Sequence, residues 1–236
     1  MRNNKLVTAG IALLLILSVT GLALAQTTGI AVVTVAKGKA EMRAKDADDW
    51  AAVKMGRVLN DGDALRTGGD GFIALIFTDD KSQIKIRPNT DIVVSAEREQ
   101  DNSLSKRVNM EIGELFADVQ QQKGEMQIAT PTSVASIKGT SFWVLVDENG
   151  GTTVLTLEGL IELLNNISGQ TTNVGQGQFG QSNPDGSLNS GAGTGGQGTP
   201  QFSPDGTGSG EGNTIELQFQ DADGNVRTMQ IQYGTD

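Results

Sequence analysis

Between residues 29 and 165 short apolar runs alternate with turn residues at intervals of about 8–12, the spacing of an all-β domain. Gly29-Ile-Ala-Val-Val-Thr-Val35 is rich in β-branched residues and stops at Lys37-Gly38. Phe72-Ile-Ala-Leu-Ile-Phe77 is continuously apolar and too short for a helix, so it predicts a strand buried on both faces. Thr78–Ser82 turns the chain, and Gln83-Ile-Lys-Ile-Arg87 alternates apolar with charged residues until Pro88-Asn89 ends the ladder. Val108, Met110 and Ile112 alternate up to Gly113, and Met126-Gln-Ile128 leads into Thr130-Pro131. Phe142, Val144 and Val146 share a face, and Asp147–Gly151 closes a hairpin onto Thr152–Leu157. Leu160–Leu164 reads as a last strand. The expected fold is all-β, with short antiparallel or mixed strands in a compact β-sandwich or a short β-helix-like domain.

The ends of the 236-residue chain read differently. Arg2 and Lys5 precede an apolar run over Leu6–Leu24 that closes on Ala23-Leu24-Ala25, the pattern of a signal peptide spanning 1–25 and cleaved after Ala25. The expected location is outside the cytoplasm, periplasmic or extracellular, with no membrane span left after cleavage. A β domain then fills 26–174. Residues 175–213 hold 13 of the 31 glycines with Ser, Gln and Thr and few aliphatic residues, which predicts a flexible linker. Residues 214–236 predict a β-hairpin, with Ile215, Leu217 and Phe219 alternating, a turn at Asp221–Asn225, and Met229, Ile231 and Tyr233 returning. An isolated hairpin is marginal in water, so it must dock, pair with another chain or stay weakly ordered.

Charge narrows the partners. Residues 26–138 carry 17 acidic and 15 basic side chains, whereas residues 139–236 carry 11 acidic ones and only Arg227 as a base. With no basic stripe to displace counterions, nucleic acid is not an expected partner. The Lys106-Arg107 pair reads as a solvated turn.

The chain has neither histidine nor cysteine. That excludes Ser-His-Asp and Cys-His nucleophiles, histidine bases, disulfides and most zinc sites. The close acid pairs are Asp61/Asp63, Asp79/Asp80 and Glu114/Asp118. A glycosidase needs two carboxyls about 5–9 Å apart across a cleft. The first two pairs sit in turns, where solvated acids are the simpler reading. Glu114 and Asp118 share a strand face without an evident aromatic platform. Lys138-Gly-Thr140 has a scrambled order relative to the Lys-Thr-Gly motif of penicillin-binding enzymes and is set aside. Asp221, Asp223 and Asn225 space their oxygens as calcium loops do, but no bidentate Glu follows, so they form at most a weak metal candidate and otherwise a turn. No catalytic residue and no cofactor is expected.

Several of these segments together resemble the FecR-domain family. Gly38, Trp50, Gly56, Leu59, Gly62-Asp63, Leu65 and Thr67 are similar to its beginning, and Phe77, Asp80, Lys81, Ser82 and Ile84 to its strand–turn–strand unit. Glu111–Val119 is similar to its middle strands, and Ile128–Phe142, with Thr130-Pro131 followed by Gly139-Thr140-Ser-Phe142, is the most specific part. The likeness covers about residues 30–165. It implies an extracytoplasmic, non-catalytic module that engages an envelope protein or glycan. Family namesakes relay an outer-membrane transporter's state to a cytoplasmic sigma factor through an N-terminal cytoplasmic segment. Here only Met1–Lys5 precede the apolar run, so any sigma-factor signalling is expected to act through a separate chain. A surface-assembly role, with the terminal hairpin adding a strand to another subunit, is the alternative. The motif residues read as structural first: Gly62-Asp63 and Gly139-Thr140 as sharp turns, Thr130-Pro131 as an extended ladder end, Trp50 as a core or lid aromatic and Phe142 as core.

Overall fold

A computed structural model describes residues 29–121 and 124–192 in full, together with the backbone of two later strands, Asn213–Gln220 and Val226–Tyr233. Every regular element among them is a strand, as the alternating pattern requires. No helix among the described residues is long and apolar enough to cross a membrane.

Seventeen strands form one hydrogen-bonded sheet folded into two layers. The first layer runs β4 (Val58–Leu59), β1 (Ala31–Lys37), β6 (Phe72–Phe77), β7 (Gln83–Ile86), the end of β9 (Leu104–Asp118), β12 (Ser141–Val146), β13 (Thr152–Glu158), β16 (Gln178–Ser182) and β17 (Leu188–Ala192). The second runs β3 (Ala51–Ala52), β2 (Ala40–Arg43), β5 (Asp63–Thr67), β8 (Asp91–Arg98), the start of β9, β10 (Met126–Ala129), β11 (Ser133–Ile137), β14 (Leu160–Asn165) and β15 (Thr171–Gly175). All these pairings are antiparallel except β9–β10. The layers face each other over one continuous core, with Ile73, Leu75, Phe77, Phe142 and Val144 from the first and Leu65, Ile92, Met110, Ile128 and Leu163 from the second. Of the two architectures expected, the packing is that of a sandwich.

One residue allows β9 to serve both layers. Gly113 has φ 107°, where L side chains are strained, and a Cβ there would collide with the Thr90 hydroxyl. Thr90 is fully buried and ties the bend, accepting from the Glu114 N–H at 2.9 Å. Residues before Gly113 ladder with β8 and β10, and those after it with β7 and β12.

The segment expected to be a linker from residue 175 is ordered as far as Ala192. β16 pairs with β13, and β17 with β16, across an Asn183–Gly186 turn closed by a 3.0 Å Gly186 N–H to Asn183 carbonyl bond. Its low aliphatic content is offset by ladder bonds and by a fully buried amide: Asn165 donates to the Ser182 hydroxyl at 2.7 Å and to the Asn183 carbonyl at 3.1 Å. Gly180 leaves room for Val174 and Leu163, which a Cβ would strike. The β domain therefore extends 18 residues beyond the boundary read from composition. The rest of the expected linker lies outside the described residues, as does the expected signal peptide. β18 (Asn213–Gln220) and β19 (Val226–Tyr233) pair antiparallel as the expected hairpin, with Ile215 opposite Ile231 and Leu217 opposite Met229.

Candidate functional site

The close acid pairs are engaged in holding the fold. Asp63 is buried at the start of β5, where it accepts from the Asn60 N–H at 2.9 Å and the Lys45 N–H at 3.3 Å. Asp61 pairs with Lys45 at 2.8 Å on the surface. Asp79 and Asp80 are not the solvated turn acids expected: both reach Lys106, at 2.8 and 2.7 Å, and the Lys106 side chain is fully buried. Nor is Lys106-Arg107 a turn. Both lie in β9, Lys106 facing the core between Leu104 and Val108 while Arg107 faces solvent. Alternation in β9 dictates this, and an isolated buried ammonium is so costly that it recruits two carboxylates. Burial pushes the Asp80 carboxyl up, but hydrogen bonds from Lys106 and from the Ser82 N–H and hydroxyl outweigh it and hold the carboxyl below its ordinary range.

Glu114 and Asp118 do share a face, with Phe116 between them, but four strand residues separate them by roughly 13 Å along β9. That exceeds the span of a glycosidase pair. Asp118 accepts from the Ser141 hydroxyl at 2.8 Å. Burial raises the Glu114 carboxyl above its ordinary range, with Arg87 opposing the shift.

The motif residues are distributed across the sandwich. Thr130 and Thr132 bracket Pro131 and bond the Thr152 hydroxyl at 2.7 and 3.0 Å, stitching the β10–β11 turn to β13 in the other layer. Gly139, with φ 68°, leads into β12, and Thr140 exchanges backbone bonds of 3.0 Å with Val119. Phe142 is fully buried in the core. Trp50 is only partly buried; it lies outside the core, with the guanidinium of Arg66 4.1 Å and that of Arg43 5.3 Å from its ring. Asp221, Asp223 and Asn225 lie outside the described residues, and no cluster of metal-ligating side chains occurs among those described.

What remains for recognition is the outward faces. On the second layer the registers align Ser95, Arg107, Gln127, Ser136, Glu162 and Asn173 in one polar row across six strands. Arg107 donates to Gln127 Oε1 at 2.9 Å and to Asn109 Oδ1 at 3.1 Å. One end of this row opens into a groove of about 630 Å³ lined by Asp61, Glu97, Arg98, Ser105, Arg107 and Gln127. Its lining mixes both signs of charge and carries no aromatic side chain. The sequence pattern read Arg107 as part of a turn, and only the register brings these residues together.

Two crystal structures of a protein provisionally described as an anti-sigma factor from Parabacteroides distasonis, at 1.65 and 2.50 Å resolution, are similar to parts of this chain. The first is 18% identical, with a TM-score of 0.44 over 55% of this chain and 59% of that one. The second is 17% identical, with a TM-score of 0.35 over 53% of each. The chain thus spans little more than half the length of these relatives. No curated protein matches the chain. Residues 63–162, from β5 through the first half of β14, match the family model of the FecR protein. They include the Asp80–Lys106 tie, the bend at Gly113 and the Thr130–Phe142 segment, and over that span the chain is similar to the FecR protein family.

Proposed function

We propose that the protein is a non-catalytic, extracytoplasmic regulatory module that binds a protein of the cell envelope through the polar outer face of its second layer. The observation that carries this reading is the Arg107–Gln127 groove, a mixed-charge surface on rigid strands of the FecR domain. Preorganised polar groups on strands give specificity at little ordering cost. The acid pairs support a non-catalytic role, since Asp63, Asp79, Asp80 and Asp118 already hold turns and layers together. A glycan is the other ligand class compatible with a polar groove.

The test compares the mature chain with an Arg107→Glu/Gln127→Lys variant in affinity capture from envelope extracts. The reading predicts a protein retained by the first and lost by the second at an unchanged melting temperature. Equal retention by both would remove the groove from recognition, and retention that glycosidase treatment of the extract abolishes would assign the ligand to glycan.

A further inference from the structure

An amine and two carboxyl groups lie buried together between the layers. Lys106 Nζ stands 2.8 Å from Asp79 Oδ2 and 2.7 Å from Asp80 Oδ2, with the three side chains 0%, 8% and 12% exposed. Lys106 is carried by the start of β9 in the second layer, and the two acids by the turn that joins β6 to β7 in the first. The Phe77 ring closes one side, its centroid 5.3 Å from Nζ. Desolvation offsets much of the attraction in a buried ion pair. The same two groups are also the components of an amide, and forming it requires only the loss of water.

The surroundings supply more than proximity. Asp79 Oδ2 accepts the Leu104 N–H at 3.0 Å, so a backbone donor already faces the oxygen on which charge would grow during attack at Cγ. Asp79 Oδ1 is buried and makes no hydrogen bond among the described residues, so its departure breaks no such contact. Asp80 is fixed by the Ser82 N–H and hydroxyl, both at 2.9 Å, and Ser82 is in turn held by the Gln120 N–H at 3.0 Å. This aims Asp80 Oδ2 at Nζ, in place to take a proton from it.

We infer that Lys106 and Asp79 condense into an intramolecular amide that joins the two layers covalently. The ammonium passes one proton through Asp80 to Asp79 Oδ1, leaving a neutral amine and a neutral carboxyl group. Nζ then attacks Asp79 Cγ; the C–N bond forms and the carbonyl electron pair moves onto Oδ2. Asp80 takes a second proton from the nitrogen and delivers it to the Oδ1 hydroxyl. The C–O bond breaks, the carbonyl re-forms and water leaves. Nothing is oxidised or reduced, and Asp80 ends as the carboxylate it began. Groups held in this way reach effective concentrations of about 10⁵–10⁸ M, and a buried site keeps water from reversing the step. The event happens once per molecule and is not turnover. In a chain without cysteine it provides the covalent brace that a disulfide would otherwise give.

The test is mass spectrometry of the purified, folded full chain beside its Lys106→Arg variant, which keeps the cation and cannot form the amide. After allowance for the substitution, the unsubstituted chain is expected to be lighter by one water. Its digest is expected to contain a branched peptide joining the segment around Asp79 to that around Lys106. Asp79→Asn should reach the same branched product by losing ammonia, and Asp80→Asn should form the branch at least tenfold more slowly. Circular dichroism verifies that each variant keeps its strands. Only linear Asp79 and Lys106 peptides after prolonged incubation of the unsubstituted chain would overturn the inference, whether or not any variant folds. A water loss that maps instead to an Asp-Gly pair, such as Asp61-Gly62 or Asp70-Gly71, overturns it too, since that loss marks a backbone succinimide.

Discussion

The two layers share one core but present opposite surfaces. The first turns outward a row centred on Phe116 and Trp143, whereas the second turns outward Arg107, Gln127, Ser136 and Glu162. Each row crosses the strands through side chains of one parity, so the difference arises from what the sequence places at alternate positions and not from any difference in backbone. A surface of the first kind gains by being covered, and one of the second kind stays soluble while it waits for a partner. On the function proposed above, recognition belongs to the second layer.

That division can be broken most severely at the tie between the layers. Lys106→Ala leaves Asp79 and Asp80 buried without their cation and is expected to cost about 3–5 kcal/mol in chemical denaturation. Its neighbour Arg107, outward-facing on the same strand, is expected to cost no more than about 0.5 kcal/mol as Arg107→Ala. The tie also sets an acid limit. Because the folded Asp80 carboxyl is held below its ordinary range, its contribution is present above that range and lost as pH falls through the folded value. Asp80→Asn is accordingly expected to flatten the acid limb of a stability–pH curve.

A second, smaller contrast separates the two tryptophans. Trp143→Ala removes a buried ring and is expected to cost about 3 kcal/mol, whereas Trp50→Ala loses partly exposed cation–π contacts worth about 0.5–1 kcal/mol. Equal losses would erase the asymmetry on which the two roles rest. The smallest effect belongs to Glu114, beside the aromatic row. Its carboxyl is raised by burial, so the folded state favours the protonated form; that advantage exists at low pH and is lost as pH rises through the folded value. Glu114→Gln should thus give a slight gain in melting temperature at neutral pH that disappears in acid.

The strand class and about half of the strands were legible because period-two alternation leaves few other options for runs such as Gln83–Ile86 or Ser141–Val146. Lys106 was also legible in principle, since it occupies an inward position between Leu104 and Val108; reading charge before alternation hid it. The strands at 178–192 were not, because a Gly- and Ser-rich segment reveals order only through the ladder that receives it and the buried Asn165 that satisfies it. Both outer rows depend on cross-strand register, which a linear pattern does not contain. Trp143 and Arg107 were therefore visible as residues but not as parts of surfaces.

Because the chain has no cysteine, single cysteines introduced along the two rows can measure the asymmetry directly. Thiol-labelling rates would be compared for Leu155→Cys and Phe179→Cys on the first layer and Gln127→Cys and Ser136→Cys on the second, all in the full chain. Rates at least tenfold lower on the first layer are predicted, and similar rates on both would contradict the division of roles.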